Sequence, residues 1–286
     1  MERVIGTYVV DGKTIEYSIT GRDGEPVLVM HGGHSNCYEE FGYNSLVKEG
    51  FMIITPSRAG YGNTSKEIGE SLSQACYYYV ELLNYLEIEK VHVLSISAGG
   101  PSGLYFTSHY SNRVKTLTLQ SAVTKEWHTP KDNIYKLAKI LFHPSLEKLT
   151  WKLTSTMNNF FPKFIFKQMI PSFSKLSYQQ VKEKIVDEDI EEIKKMNDRQ
   201  RSRFGFLIDL LQTKEILAED LNKIVSPTLI MHSKHDNAVT MEHAHYAHHQ
   251  ILNSDLCILE SWGHLIWLGE GSEDVNRKLI KFLKNY

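Results

Sequence analysis

Leu94-Ser95-Ile96-Ser97-Ala98-Gly99-Gly100 is the stretch on which the reading of this chain turns. An apolar β-rich run, Val91–Leu94, enters it, and a helix-forming stretch, Ala98–Tyr110, leaves it. A tight strand-to-helix turn pushes one side chain, here Ser97, above the edge of a sheet. The positions two before and two after must be small, because the backbone folds back on itself. Ser95 and Gly99 hold them, with Ser95 standing where glycine is usual.

A serine hydroxyl is a poor nucleophile until a base takes its proton, and the base needs a carboxylate to orient it. Downstream, the run Thr228–His232 leads into Ser233-Lys234-His235-Asp236, which puts Asp236 just past a strand end. The last β-rich run, Leu256–Glu260, leads into Ser261-Trp262-Gly263-His264. Asp236 is the candidate acid and His264 the candidate base. Backbone N–H donors for an oxyanion are expected from Gly33, in Val29-Met30-His31-Gly32-Gly33-His34, and from Ala98. His31 reads as a structural residue of its own loop, as does Arg58 in the loop after the fourth strand.

Working outward, Arg3–Val10 and Lys13–Thr20 flank Asp11-Gly12, a strong hairpin signal. Pro26–Met30, Phe51–Thr55 and Val114–Gln120 are further strands, and helices are expected over Tyr38–Lys48 and Ser71–Leu86. Continuous apolar strands alternating with helices predict a mostly parallel sheet covered on both faces. The alternation stops near Ala122. Thr129-Pro130-Lys131-Asp132 reads as a helix start, and Ile134, Leu137, Ala138, Leu141 and Phe142 follow at helical spacing. Leu146, Leu149, Leu153 and Met157 form a second stripe, and two more helices are expected over Asp189–Asn197 and Arg201–Leu211. Strand–helix alternation then resumes, with helices over Met241–Leu252 and Asp274–Leu283. The domain organisation expected is a core of residues 1–123 and 224–286 carrying a helical cap of residues 124–223.

The chain has 286 residues, 42% of them apolar and 23% charged, with a formal charge of −2. This argues against disorder, a disulfide scaffold and a nucleic-acid-binding field. No apolar run reaches the roughly 18 residues of a membrane span. The opening residues lack the basic-then-apolar layout of a signal peptide. Three scattered cysteines, Cys37, Cys76 and Cys257, fit a reducing compartment. A cytoplasmic location is therefore expected. His245 and His249 share one helix face, without a third ligand, and read as a solvated face. Between Thr124 and Val181, nine Lys and Arg stand against three acids. With the aromatic run Phe160–Phe166 this suits an anionic membrane surface. The reading preferred is a cap with Phe and Leu toward the site and Lys toward water, which makes Phe164 and Phe166 the expected substrate wall.

Taken together, His31-Gly32-Gly33, Ser57–Thr64, Ser95–Gly100, His235-Asp236 and Gly263-His264 resemble the motifs of the α/β-hydrolase superfamily, over nearly the whole chain. The resemblance implies a cap inserted after the sixth strand and a cofactor-free, metal-free hydrolase, most often of carboxylic esters. Its dehalogenases and epoxide hydrolases place Asp at the nucleophile position, against Ser97. Members with the acid after the sixth strand need a carboxylate there, whereas this chain has Gln120-Ser121-Ala122. The expectation is a serine hydrolase of small to medium apolar carboxylic esters. Amides, lactones, C–C bonds, perhydrolysis or a slow-turnover receptor are the alternatives.

Overall fold

A computed structural model describes residues 2–129 and 131–286. Eight strands form one sheet: β1 (Arg3–Val10), β2 (Lys13–Thr20), β3 (Glu25–Met30), β4 (Phe51–Pro56), β5 (Val91–Ile96), β6 (Val114–Gln120), β7 (Thr228–Ser233) and β8 (Ser254–Leu259). Their spatial order is β1-β2-β4-β3-β5-β6-β7-β8. β2 pairs antiparallel with β1 and β4, and every other neighbouring pair is parallel. The Asp11-Gly12 hairpin closes as read: both residues have positive φ, and Val10 pairs with Lys13.

Helices α1 (Tyr43–Lys48), α2 (Leu72–Tyr85) and α3 (Gly100–His109) connect the first six strands. Between β6 and β7 lie α4 (Asn133–Leu141), α5 (Glu147–Phe160), α6 (Pro162–Phe173), α7 (Tyr178–Lys182), α8 (Asp187–Arg199), α9 (Gly205–Gln212) and α10 (Ala218–Asn222). α11 (Met241–Gln250) and α12 (Ser272–Leu283) complete the chain. Period-2 alternation along β3 splits its apolar run between two cores. Leu28 and Met30 join α2, α3 and α11 on one face. Val27 and Val29 join α1, α12 and the inner sides of α6 and α8 on the other. Burial on both faces is why these strands read as continuous apolar runs.

Three helix starts come later than read, among them that of α9, expected at Arg201 and found at Gly205. The helix expected over Tyr38–Lys48 begins only at Tyr43. Asn36 and Glu39 side chains take the backbone N–H groups of Tyr38, Glu40 and Phe41, and so compete with a helical ladder there. The helix expected to start at Thr129 starts at Asn133, and Asp132 accepts from the Thr129 N–H instead. Pro130 lies outside the described residues.

Of the stripes expected to face inward, that on α5 points the other way and that on α4 is split: Ala138 is buried and Phe142 packs on Trp151 and Phe206. Leu137, Leu141, Leu146, Leu149, Leu153 and Met157 are exposed. α4 packs inward through Tyr135 and Ala138. α5 buries Glu147, Trp151 and Asn158.

Candidate active site

β5 ends at Ile96, and the chain turns through a single 3-10 turn, Ser97–Gly99, into α3. Ser97 sits at φ 50, in the left-handed region. A non-glycine residue there costs about 1–3 kcal/mol. Its surroundings enforce the turn. A Cβ on Gly99 would lie 2.2 Å from the Met30 carbonyl oxygen, so no larger residue fits. Ser95 is accommodated from α3: a Cβ on Gly103 would lie 1.7 Å from Ser95 Oγ. Glycine at 103 makes the room that glycine at 95 would otherwise supply. The Ser95 hydroxyl finds no hydrogen-bond partner among the described residues.

Ser97, Asp236 and His264 come from loops after three strands and meet above the sheet edge. Ser97 Oγ lies 2.9 Å from His264 Nε2, and His264 Nδ1 lies 2.7 Å from Asp236 Oδ2. The other oxygen, Oδ1, accepts from the N–H groups of Ala238 and Val239 at 2.9 Å each. Burial alone would raise the Asp236 carboxyl. The His264 charge and hydrogen bonds from His232 and His264 outweigh it and hold Asp236 well below the usual carboxylate range. An ionised carboxylate only accepts, so Nδ1 carries the imidazole proton. Nε2 then presents a lone pair to the Ser97 hydroxyl. This arrangement can draw a proton from serine onto a correctly oriented imidazole.

The base loop is braced from two sides. Ser121 Oγ donates to the His264 carbonyl at 2.9 Å. The C-terminal end of α6 crosses both catalytic loops. The Phe173 carbonyl accepts from the N–H groups of His264 (2.8 Å) and Asn237 (3.3 Å). Lys175 N–H donates to the His235 carbonyl, Asn237 Nδ2 donates to the Pro171 carbonyl, and Ser174 bridges to Asp236. A Cβ on Gly263 would lie 2.5 Å from the Phe173 carbonyl oxygen, so glycine before His264 is what lets α6 approach.

Gly33 and Ala98 are neighbours: a Cβ on Gly33 would lie 3.5 Å from that of Ala98. The Gly33 N–H donates to no acceptor among the described residues. His31 is buried and spans its loop, with Nδ1 2.8 Å from the Gly32 carbonyl and Nε2 accepting the Arg58 N–H at 2.9 Å. Arg58 is buried in a forked ion pair with Asp209, which also accepts the Tyr61 hydroxyl. Asp209 lies 151 residues further along the chain, and nothing local identified it.

A cavity of about 190 Å³ opens onto Ser97 and His264. Phe41, Ile96, Trp127, Phe173, Phe206 and Trp267 supply most of its apolar wall. Its polar lining includes Ser35, Glu39 and Gln200, and no Lys or Arg lines it among the described residues. Phe164 and Phe166 are not in this wall. Phe164 is 51% exposed, while Phe166 is buried against Trp262. Lying two apart on a helix, they point to different sides, and the inward one reaches the sheet core beside the cavity. Cys37 is likewise absent from the lining, and burial pushes its thiol up to about 12.

The wall residue His34 was not singled out from sequence. Its ring packs on Phe206, Phe142 and Trp151. Burial lowers its pKa to about 3, so it is neutral. Trp151 Nε1 donates to Ser202 Oγ at 2.7 Å, and that hydroxyl lies 2.7 Å from His34 Nδ1. The indole only donates, which leaves the Ser202 proton for Nδ1. His34 therefore carries its own proton on Nε2. The only available sequence signal was its place directly after Gly33.

On α11, His243 Nδ1 accepts the Thr124 N–H, and His248 Nδ1 lies 2.9 Å from Ser254 Oγ. No three His, Cys, Asp or Glu side chains converge as a metal site among the described residues.

The family model for the alpha/beta hydrolase fold matches residues 25–270. The uncharacterized hydrolase YcgS of Bacillus subtilis (strain 168) is 57% identical over 285 residues, covering 100% of each chain. A 2-hydroxy-6-oxononadienedioate/2-hydroxy-6-oxononatrienedioate hydrolase of Escherichia coli O81 (strain ED1a) is 27% identical over 150 residues, covering 48% of this chain and 52% of its own. Among solved structures, an alpha/beta hydrolase fold protein from Nakamurella multipartita superposes with a TM-score of 0.82 at 26% identity, covering 98% of this chain and 99% of its own.

Proposed function

The chain belongs to the α/β-hydrolase fold family, and from that premise we propose that it is a serine hydrolase of small to medium apolar carboxylic esters. Ser97 is the nucleophile, His264 the base, Asp236 its orienting carboxylate, and the Gly33 and Ala98 N–H groups the oxyanion donors. Residues 124–223 act as the cap that closes the substrate cavity. The observation that carries the reading is the hydrogen-bonded run from Ser97 through His264 to Asp236 on the floor of an apolar cavity.

The Ser97 oxygen adds to the ester carbonyl as its proton passes to His264 Nε2. Negative charge gathers on the carbonyl oxygen between the two N–H donors. The imidazolium, paired with Asp236, returns the proton to the departing alcohol and leaves an acyl-serine. Water then adds to the acyl carbonyl, gives its proton to His264, and the acid leaves as Ser97 recovers its hydrogen.

A second reading comes from the partial likeness to the Escherichia coli hydrolase whose name gives a dioate substrate: Ser97, His264 and Asp236 would then act on a carboxylate-bearing substrate. The lining argues for the uncharged ester, because Glu39 contributes a carboxylate to the cavity and no Lys or Arg answers a substrate anion. The test is a panel of p-nitrophenyl esters beside anilides, lactones and dicarboxylates. Ester turnover is expected, and Ser97→Ala lowers kcat by about 10⁴ to 10⁶. A serine-directed phosphonate should label Ser97 once. Labelling at Ser95 or Ser121, or turnover confined to dicarboxylates, would refute the assignment.

A further inference from the structure

Helix α5 is inside out. Leu146, Leu149, Leu153, Met157 and Phe160 recur at three- and four-residue intervals and face outward, Phe160 being 73% exposed. Its buried face is polar and fully engaged. Glu147 holds the Arg201 side chain and the Ser202 N–H, Trp151 donates to Ser202, and Asn158 accepts from Asn197. Neighbouring helices carry further exposed apolar side chains, Leu137 and Ile140 on α4, Phe161 at the start of α6 and Phe164 in its first turn, with the Phe160 and Phe161 rings 6.5 Å apart. Isolated apolar side chains are ordinary on a protein surface, but so many on three consecutive helices point to a docking face.

The charge of these helices identifies what docks. From residue 131 to 169 seven lysines stand against two acids, Asp132 and Glu147, and Glu147 is buried on Arg201. Lys163 pairs with Asp187. Lys136, Lys139, Lys148 and Lys152 are exposed and pair with no carboxylate among the described residues. A second copy of the chain fits poorly, since a two-fold contact would set this lysine rim against itself. No helix among the described residues is long and apolar enough to cross a membrane.

We propose that the α4–α6 face docks on an anionic lipid surface. The leucine and phenylalanine side chains lie at the boundary of headgroups and acyl chains, and the lysines lie on the phosphates. α6 starts at this face and ends at Phe173, about 18 Å along its axis. The lipid surface and the His264 loop are thus opposite ends of one helix.

The experiment is co-sedimentation of the full chain with phosphatidylglycerol vesicles and with phosphatidylcholine vesicles. It reads binding without turnover, so failure of the esterase reading leaves it intact. Binding is expected on phosphatidylglycerol, weaker on phosphatidylcholine, and falling with added salt. Phe160→Ala should lower the partition coefficient at least about tenfold. Lys148→Gln and Lys152→Gln should each lower it about fivefold on phosphatidylglycerol alone. These side chains are exposed, and an unchanged far-ultraviolet circular dichroism spectrum and Tm check the fold of each variant. No binding to either vesicle, or equal binding to both with no effect of the lysine changes, overturns the proposal. So does a dimer by light scattering that Phe160→Asp separates while vesicles bind neither form.

Discussion

Phe206 should set how long an acyl chain the enzyme accepts. Its ring lies 4.0 Å, centroid to centroid, from that of His34, and it packs over Gly33 at the cavity wall. The cavity holds about 190 Å³. Each buried methylene contributes about 0.8 kcal/mol, so kcat/KM should rise about fourfold per carbon while the acyl chain fits and then fall. Phe206→Ala removes a six-carbon ring and opens room for about three further methylenes. The ratio of kcat/KM for the longer ester over that at the wild-type optimum should then rise by up to about 60-fold. Initial rates on p-nitrophenyl esters from acetate to dodecanoate read this directly, and Phe206→Leu should give a smaller shift. An unmoved optimum would remove Phe206 from the acyl wall. A uniform loss across the series would assign it to holding the oxyanion loop.

Asp236→Asn should keep the fold, present the wrong proton to His264 and cost about 10³ to 10⁴ in kcat. Asp236 is held below its ordinary value, so its ionisation stabilises the folded chain above about pH 4, and that contribution is lost as pH falls further. Below about pH 4 the wild type should therefore lose stability with falling pH more steeply than the asparagine variant, which lacks that component of the slope, as read by acid unfolding followed by far-ultraviolet circular dichroism. Ser95→Ala removes a buried hydroxyl without a partner and should stabilise the chain by about 1 kcal/mol, seen as a rise in Tm of about 2 °C. A fall in Tm would mean that the hydroxyl is satisfied in solution.

Where a feature is written into a few neighbouring residues, it could be read from the sequence. Asp11-Gly12 encodes its turn through two positive φ angles, and the apolar strands encode burial on both faces. The meeting of Ser97, Asp236 and His264 was legible because each follows a strand, and parallel strands deliver such loops to one edge. The orientation of α5 was not legible. A stripe at helical period shows that a helix has two faces, and says nothing of which one meets protein. Here Glu147, Trp151 and Asn158 have partners on α8 and the following loop, so the polar side went inward. The same ambiguity misplaced Phe164, whereas Phe166 does face inward but reaches the core against Trp262 beside the cavity. His34 and Asp209 depend on partners well over a hundred residues away, a distance no local pattern spans.

The crossing of α6 over the acid and base loops bears on how such a protein changes through evolution. A helical segment that only rested on the sheet could be traded among relatives as a self-contained module, altering substrate choice and sparing the chemistry. Here the trade would also remove Phe173, Ser174 and Lys175, whose backbone groups anchor the loops of Asp236 and His264. A chimera bearing a foreign segment needs a matching crossover, or it inherits a new pocket with a loose base. Lineages that diversify this segment are therefore expected to conserve the path of the chain at its α6 terminus while varying freely elsewhere, and positions 171–175 should change in step with 235–237 and 262–264.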